Sequence, residues 1–112
     1  MARDPEIIVV DPDIDARTDT AHMLEAADLS VVGESDYGID AVTMANERPP
    51  DVFLVTMEEP VARAIQTIEM LVSAAPQAAT IVVSSLADAG SVRSAMVAGA
   101  RDYLIKPLKP ED

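Results

Sequence analysis

The sequence contains no cysteine, so disulfides, thiolate metal sites, iron–sulfur clusters and a cysteine nucleophile are all excluded. Aromatic residues are almost missing. Tyr37, Phe53 and Tyr103 are the whole set, too few for a base-stacking surface or a flat-ring cofactor pocket. Lysine occurs only at positions 106 and 109, and the formal net charge is −12. A surface this negative repels a phosphate backbone, which argues against direct nucleic-acid binding. The four glycines, at positions 33, 38, 90 and 99, never cluster into a phosphate-cradling loop. No apolar run reaches the roughly 18 residues of a membrane span, and Met1-Ala2-Arg3-Asp4-Pro5 lacks a signal-peptide core. These absences leave a soluble, cytoplasmic domain as the expectation.

What is present is enough for one core: a chain of 112 residues buries about two-thirds of its unfolded surface. The organising stretch is Asp51-Val52-Phe53-Leu54-Val55-Thr56, a continuous apolar run between Pro49-Pro50 and Pro60. Such a run reads as a strand buried on both faces, as central strands of parallel sheets are. Residues 6–10 and 80–84 read as strands for the same reason, 29–34 as an edge strand, and 102–105 as a fifth. Between them, apolar residues recur at helical spacing. A first helix over 13–27 turns Ile14, Thr18, Ala21 and Leu24 inward, with Asp13 as its N-cap. A second over 38–47 presents Ala41, Val42 and Ala45. A third takes Pro60 into its first turn and buries Ile65, Ile68, Leu71 and Val72. A fourth runs from Asp88 to Ala98 and stops at Gly99 in a left-handed conformation.

Strands alternating with helices at short spacing imply parallel pairing and right-handed crossovers. The fold class is α/β, a three-layer doubly wound sheet of five strands in the order 2-1-3-4-5. Pro110, Glu111 and Asp112 look like the opening turn of one more, truncated helix. Residues 1–112 therefore read as one domain of a longer multidomain chain.

In open parallel sheets, ligands and chemistry collect beyond the carboxyl ends of the strands. That edge gathers Asp11 and Asp13, Thr56, Ser84 and Lys106, residues far apart in the chain. His22, with no second histidine and no acid at ligand spacing, reads as a helix-surface residue. No nucleophile–base pair is apparent, so no enzymatic role is expected.

With these residues placed, the chain resembles the response-regulator receiver domain over nearly its whole length. The matching segments are Ile7–Asp13 (IIVVDPD), Pro50–Pro60 (PDVFLVTMEEP), Ile81–Ser85 (IVVSS) and Val97–Pro107 (VAGARDYLIKP). The last is the most specific, because it leads through the fifth-strand aromatic into a lysine–proline pair joined by a cis peptide at Pro107. The resemblance implies what an active member would hold there. Two acids after strand 1 and an aspartate ending strand 3 bind magnesium, and that aspartate accepts a phosphoryl group from a histidine kinase. A serine or threonine ending strand 4 and the strand-5 lysine bind the phosphoryl oxygens. Ser84 and Lys106 fill the last two places, and Tyr103 that of the switch aromatic. Pro12 replaces one acid, although Asp13 follows it, and Thr56 replaces the acceptor.

That replacement is severe. Mg²⁺ prefers a near-octahedral set of hard oxygens with one or two carboxylates, and two negative ligands are gone. A neutral hydroxyl with no adjacent base is a poor nucleophile and cannot give the acyl phosphate. Neither magnesium nor any other cofactor is therefore expected. Glu58 is placed to crowd the entrance. Lys106, left without a phosphoryl group, is expected to pair with Asp11. Thr56 reads as a strand-end residue whose hydroxyl bonds neighbouring backbone, the alternative being phosphorylation by a serine/threonine kinase, which burial disfavours. Ser84 and Ser85 read as caps or as acceptors for backbone amides, and Tyr103 as a packed edge residue.

The function expected is a phosphorylation-independent pseudo-receiver, a regulatory and protein-interaction module. Its partners are expected to be proteins: a second copy, through the helix 4–strand 5 face that includes Val92, Met96, Asp102 and Tyr103, and a covalently linked carboxyl-terminal output domain. Asp11-Pro12-Asp13, Thr56 and the end at Asp112 resemble domains preceding a ParA/MinD-type ATPase in CpaE/TadZ pilus-assembly proteins. The rival expectation is a genuine phosphorelay receiver in which Asp11, Asp13 or Glu58 improvises an acidic site.

Overall fold

In a computed structural model, which describes residues 5–107, each β-branched apolar run becomes a strand and each segment of helical spacing a helix. The elements are β1 (Glu6–Val10), α1 (Ile14–Ala26), β2 (Ser30–Ser35), α2 (Ile39–Glu47), β3 (Val52–Thr56), α3 (Ala62–Ala74), β4 (Ala79–Ser84), α4 (Ala89–Ala98) and β5 (Asp102–Ile105). All neighbouring strands pair in parallel, in the order β2-β1-β3-β4-β5. β3 pairs residue for residue with β1 on one side and β4 on the other, so the carboxyl ends of these strands line up on one edge.

The two faces of the sheet are covered unequally. Ile8, Val10, Phe53, Val55 and Val82 meet α2, α3 and α4 through Ala41, Ala45, Ala64, Ile68, Leu71, Ala95 and Ala98. Five of those seven helix residues are alanines, which lets three helices lie close to one sheet face. The opposite parity, Ile7, Val9, Leu54 and Val83, packs on Leu24 of α1, the sole helix covering that face among the described residues. Phe53 is fully buried and Leu54 nearly so, on opposite faces, which is why the β3 run is continuously apolar rather than alternating. Truncating Phe53 to alanine would remove about 3–5 kcal/mol of stability.

α4 ends where φ turns to +123° at Gly99, and Ala100 N–H donates back to the Ala95 carbonyl at 3.0 Å. A Cβ there would lie 2.7 Å from Val72 Cγ2, so a side chain is excluded by contact as well as by backbone conformation. Two expectations need correcting. Ile14 is 64 % exposed, because it is the first residue of α1 and stands beyond the strand ends, where no sheet lies beneath it. Ala21 and Leu24 carry the buried stripe instead. Pro60 is not in the first turn of α3. It follows a cis Glu59-Pro60 bond, and the helix starts at Ala62 with Val61 as its cap. Residues 110–112, expected to open a further helix, lie outside the described residues. No helix among the described residues is long and apolar enough to cross a membrane.

Candidate functional site

Asp11 is the first residue after β1, buried to 3 % exposure. Its backbone N–H donates to the Ser35 carbonyl at 2.9 Å, extending the β1–β2 ladder by one residue. Its carboxylate accepts from Asp13 N–H at 2.9 Å. Asp13 in turn caps α1, accepting from the amides of Asp15 at 3.0 Å and Ala16 at 3.3 Å. Both acids thus spend part of their hydrogen-bonding capacity on the chain's own amides, through contacts two or three residues long.

Thr56 ends β3 at 9 % exposure. Its hydroxyl has no hydrogen-bond partner among the described residues, contrary to the expected bond to backbone. The reason is local: the next amide, Met57 N–H, already donates to the Val83 carbonyl at 2.9 Å. The Thr56 carbonyl is used instead, by the Tyr37 hydroxyl. Tyr37 sits in the loop between β2 and α2, with the Arg63 guanidinium 5.8 Å over its ring centroid. Burial, reinforced by the negative charges of Asp11, Glu58 and Asp36 and opposed by Arg63, pushes the Tyr37 phenol up to about 12. Sequence reasoning missed Tyr37 as a member of the site. A tyrosine just before Gly38 is an ordinary loop residue until the fold brings it to a carbonyl nineteen positions away.

Lys106 is paired with Glu58, Nζ to Oε2 at 2.8 Å, and the pairing with Asp11 expected from sequence is not formed. Asp11 lies deep and engaged with Asp13, whereas Glu58, in the loop beyond β3, is as accessible as the lysine. An ammonium near the surface takes the carboxylate it can reach without losing its remaining water. Glu58 also accepts from the Ser85 hydroxyl at 2.5 Å and from Ser85 N–H at 3.1 and 3.3 Å. Burial works against its charged form, but the hydrogen bonds from Lys106 and Ser85 outweigh that and hold the carboxyl below its ordinary range.

Ser84, fully buried, accepts from Leu86 N–H at 2.9 Å. The cap of α4 is Asp88, whose carboxylate accepts from Ser91 N–H at 2.9 Å and is held below its usual range by that bond. Tyr103 is half-buried, and its hydroxyl donates to the Leu86 carbonyl at 2.6 Å. The Lys106-Pro107 bond is cis. Asp102 and Met96 are exposed, as are Val97 and Ile105, and Val92 is half-buried. His22 is exposed on α1.

Two cavities, of about 540 and about 430 Å³, adjoin at the strand ends and share Asp11, Ala16, Thr56 and Lys106. The first runs under α1 over Met23, Leu54 and Val83, and the second opens past Tyr37, Glu58 and Arg63. The residues present do not fit a magnesium site. Asp11 and Asp13 are tied to amides, Glu58 to Lys106 and Ser85, and position 56 offers a neutral hydroxyl. No group of three acids, histidines or cysteines able to hold a metal ion occurs among the described residues.

The sequence profile of the response regulator receiver domain matches residues 7–112. Among curated proteins, the chain is similar to the chemotaxis protein CheY of Listeria monocytogenes, 26% identical over 95% of this chain and 89% of that protein. It is also similar to the nitrate/nitrite response regulator protein NarL of Escherichia coli, 28% identical over 95% of this chain and 50% of that protein. Among solved structures, it superposes on a two-component response regulator of the LuxR family from Aurantimonas with a TM-score of 0.86. The two are 20% identical, and the match covers 98% of this chain and 79% of that one.

Proposed function

The chain belongs to the response regulator receiver family, and from that premise we propose that it is a receiver working without phosphoryl transfer. The observation that carries this reading is the pairing at the two decisive positions. Where a carboxylate would accept the phosphoryl group stands the buried, neutral Thr56, and the lysine that would bind that group is already held by Glu58. A threonine hydroxyl with no base in contact is not activated for attack, and burial keeps it from a serine/threonine kinase. The domain is then non-catalytic and cofactor-free, and acts by contact with proteins in the cytoplasm.

Self-association is assigned to the face formed by α4 and β5, where Met96 and Ile105 are 42 and 45 % exposed and Val97 83 %. Asp102 and Tyr103 belong to the same face. The net charge of −12 favours protein partners over nucleic acid. As a regulatory module it would control or localise a linked output domain. The resemblance of Asp11-Pro12-Asp13 and Thr56 to the domains of CpaE/TadZ proteins points to a ParA/MinD-type ATPase.

The test is incubation with acetyl phosphate and magnesium, read by intact mass. No added phosphoryl group is expected. A stable or transient adduct on Asp11, Asp13 or Glu58 would instead favour a phosphorelay receiver with a rearranged acidic site.

A further inference from the structure

Three different donors converge on the Glu58 carboxylate. They are the Ser85 backbone amide at 3.1 and 3.3 Å, the Ser85 hydroxyl at 2.5 Å and the Lys106 ammonium at 2.8 Å. An amide, a hydroxyl and a cation arranged around one point make a cradle for an oxyanion, since each bond to a charged acceptor is short and directional. The cradle ties together the ends of three adjacent strands: Glu58 follows β3, Ser85 follows β4 and Lys106 follows β5.

The residue next to Ser85 is pinned from two further sides. Leu86 N–H donates to Ser84 Oγ at 2.9 Å, and the Leu86 carbonyl accepts from the Tyr103 hydroxyl at 2.6 Å. The grip of Glu58 on Ser85 is therefore one peptide unit away from the atom that fixes Tyr103. We infer that Glu58 is a built-in anion: it fills the oxyanion cradle of Ser85 and Lys106 from within the chain, and thereby sets the course of residues 84–86 and the position of Tyr103. The domain supplies for itself the anion that a phosphoryl group would otherwise bring. This rests on the reading that Thr56 accepts no phosphoryl group.

The role is one of geometry rather than stability. Both members of the ion pair have side chains 36 % exposed, and pairs this accessible add little to folding free energy. What they fix is direction, by tying the loop after β3 to the ends of β4 and β5.

The test follows amide and tyrosine ring signals by NMR in Glu58→Ala and in the wild type. The expected result is a shift of the Ser85 and Leu86 amides and of the Tyr103 ring in Glu58→Ala, and their return toward wild-type positions when inorganic phosphate is added. The wild type should not respond to phosphate. Shifts confined to residues 57–60 and 106, with Tyr103 unmoved, would overturn the inference, and so would a variant that ignores phosphate. Should Glu58→Ala fail to fold, Ser85→Ala removes one donor from an exposed position: a moved Tyr103 ring supports the coupling and an unmoved one refutes it. Magnesium with beryllofluoride, added to the wild type, separates the two ideas. A concerted response there defeats the phosphorylation-independent reading, whereas silence there together with an unmoved Tyr103 in the variants defeats this inference alone.

Discussion

The two halves of the pocket at the carboxyl edge of the sheet are satisfied in different ways. On the β1–β3 side, Asp11 and Asp13 bond to amides two or three residues away, and the Thr56 hydroxyl finds no partner among the described residues. On the β4–β5 side, Ser84 also bonds to an amide two residues on, but the other contacts reach across strands: Glu58 to Ser85 and Lys106, and Tyr103 to Leu86. The difference lies in what each group loses if left alone. A neutral hydroxyl beside an open cavity forfeits one modest hydrogen bond, whereas an accessible ammonium and carboxylate brought together by their loops gain a charge-assisted one. Long side chains are the ones that meet partners far away in sequence, charged in Glu58 and Lys106 and neutral in Tyr103, whereas the short aspartates stay with their own turn.

The strongest way to break this comparison is to put a charge at position 56, the neutral member of the β1–β3 half. Thr56→Asp buries a carboxylate beside Asp11 with the nearest lysine already engaged, and should lower stability by about 3 kcal/mol in metal-free buffer. Urea unfolding with and without magnesium checks it, with partial recovery expected on adding the ion. An unchanged midpoint would mean that Lys106 moves to residue 56 freely, and the two halves would not be separate.

Next in size is the bond joining the halves to the neighbouring loop. Tyr37→Phe removes the donor to the Thr56 carbonyl and should cost about 1–1.5 kcal/mol. The phenol itself gives an independent reading. The phenol is pushed from its ordinary value of 10.0 up to about 12, so its contribution is complete below pH 10 and is lost as pH rises through about 12. Ultraviolet titration should show a tyrosine ionising near the upper value, and its absence would remove the assignment of Tyr37 to the site.

Asp13 sharpens the local side. Asp13→Ala should cost about 1 kcal/mol through loss of the α1 cap, equally with and without magnesium, while Asp13→Asn should restore most of it. A loss that appears in magnesium alone would identify Asp13 as a metal ligand rather than a cap.

The smallest effect belongs to the clamp. Glu58→Gln should change stability by no more than about 0.5 kcal/mol, because the pair is accessible and screened, and the change should vanish in high salt. The native carboxyl is held below its ordinary value of 4.5, so its contribution is present above that pH and lost as pH falls through the lowered native value. An acid titration of stability in wild type and Glu58→Gln should converge there. Curves that stay parallel would show that Glu58 has no part in the acid limb.

Much of this molecule was legible in its sequence because the determining physics is local. The apolar runs, the spacing of Ala41, Ala45, Ile68 and Leu71, the Asp13 cap and the turn at Gly99 each depend on residues within a few positions of one another. Alternation of strands and helices then restricts the sheet to few orders, and the one expected is the one found. The same reasoning set Asp11, Asp13, Thr56, Ser84 and Lys106 on one edge, because parallel strands with short crossovers leave all carboxyl ends together.

Which of these residues touch was decided by tertiary structure alone. Lys106 had two acids of the right sign to choose from, and the choice followed depth: Asp11 is buried and engaged, while Glu58 is carried out by its loop to the lysine's own level. The inward turn of Tyr37 to a carbonyl on β3 and the start of α3 at Ala62, beyond Pro60, belong to the same class. Periodicity and turn chemistry fix where a backbone goes. They do not fix which of several polar side chains meets another, because that depends on distances and water access that exist only once the sheet is assembled.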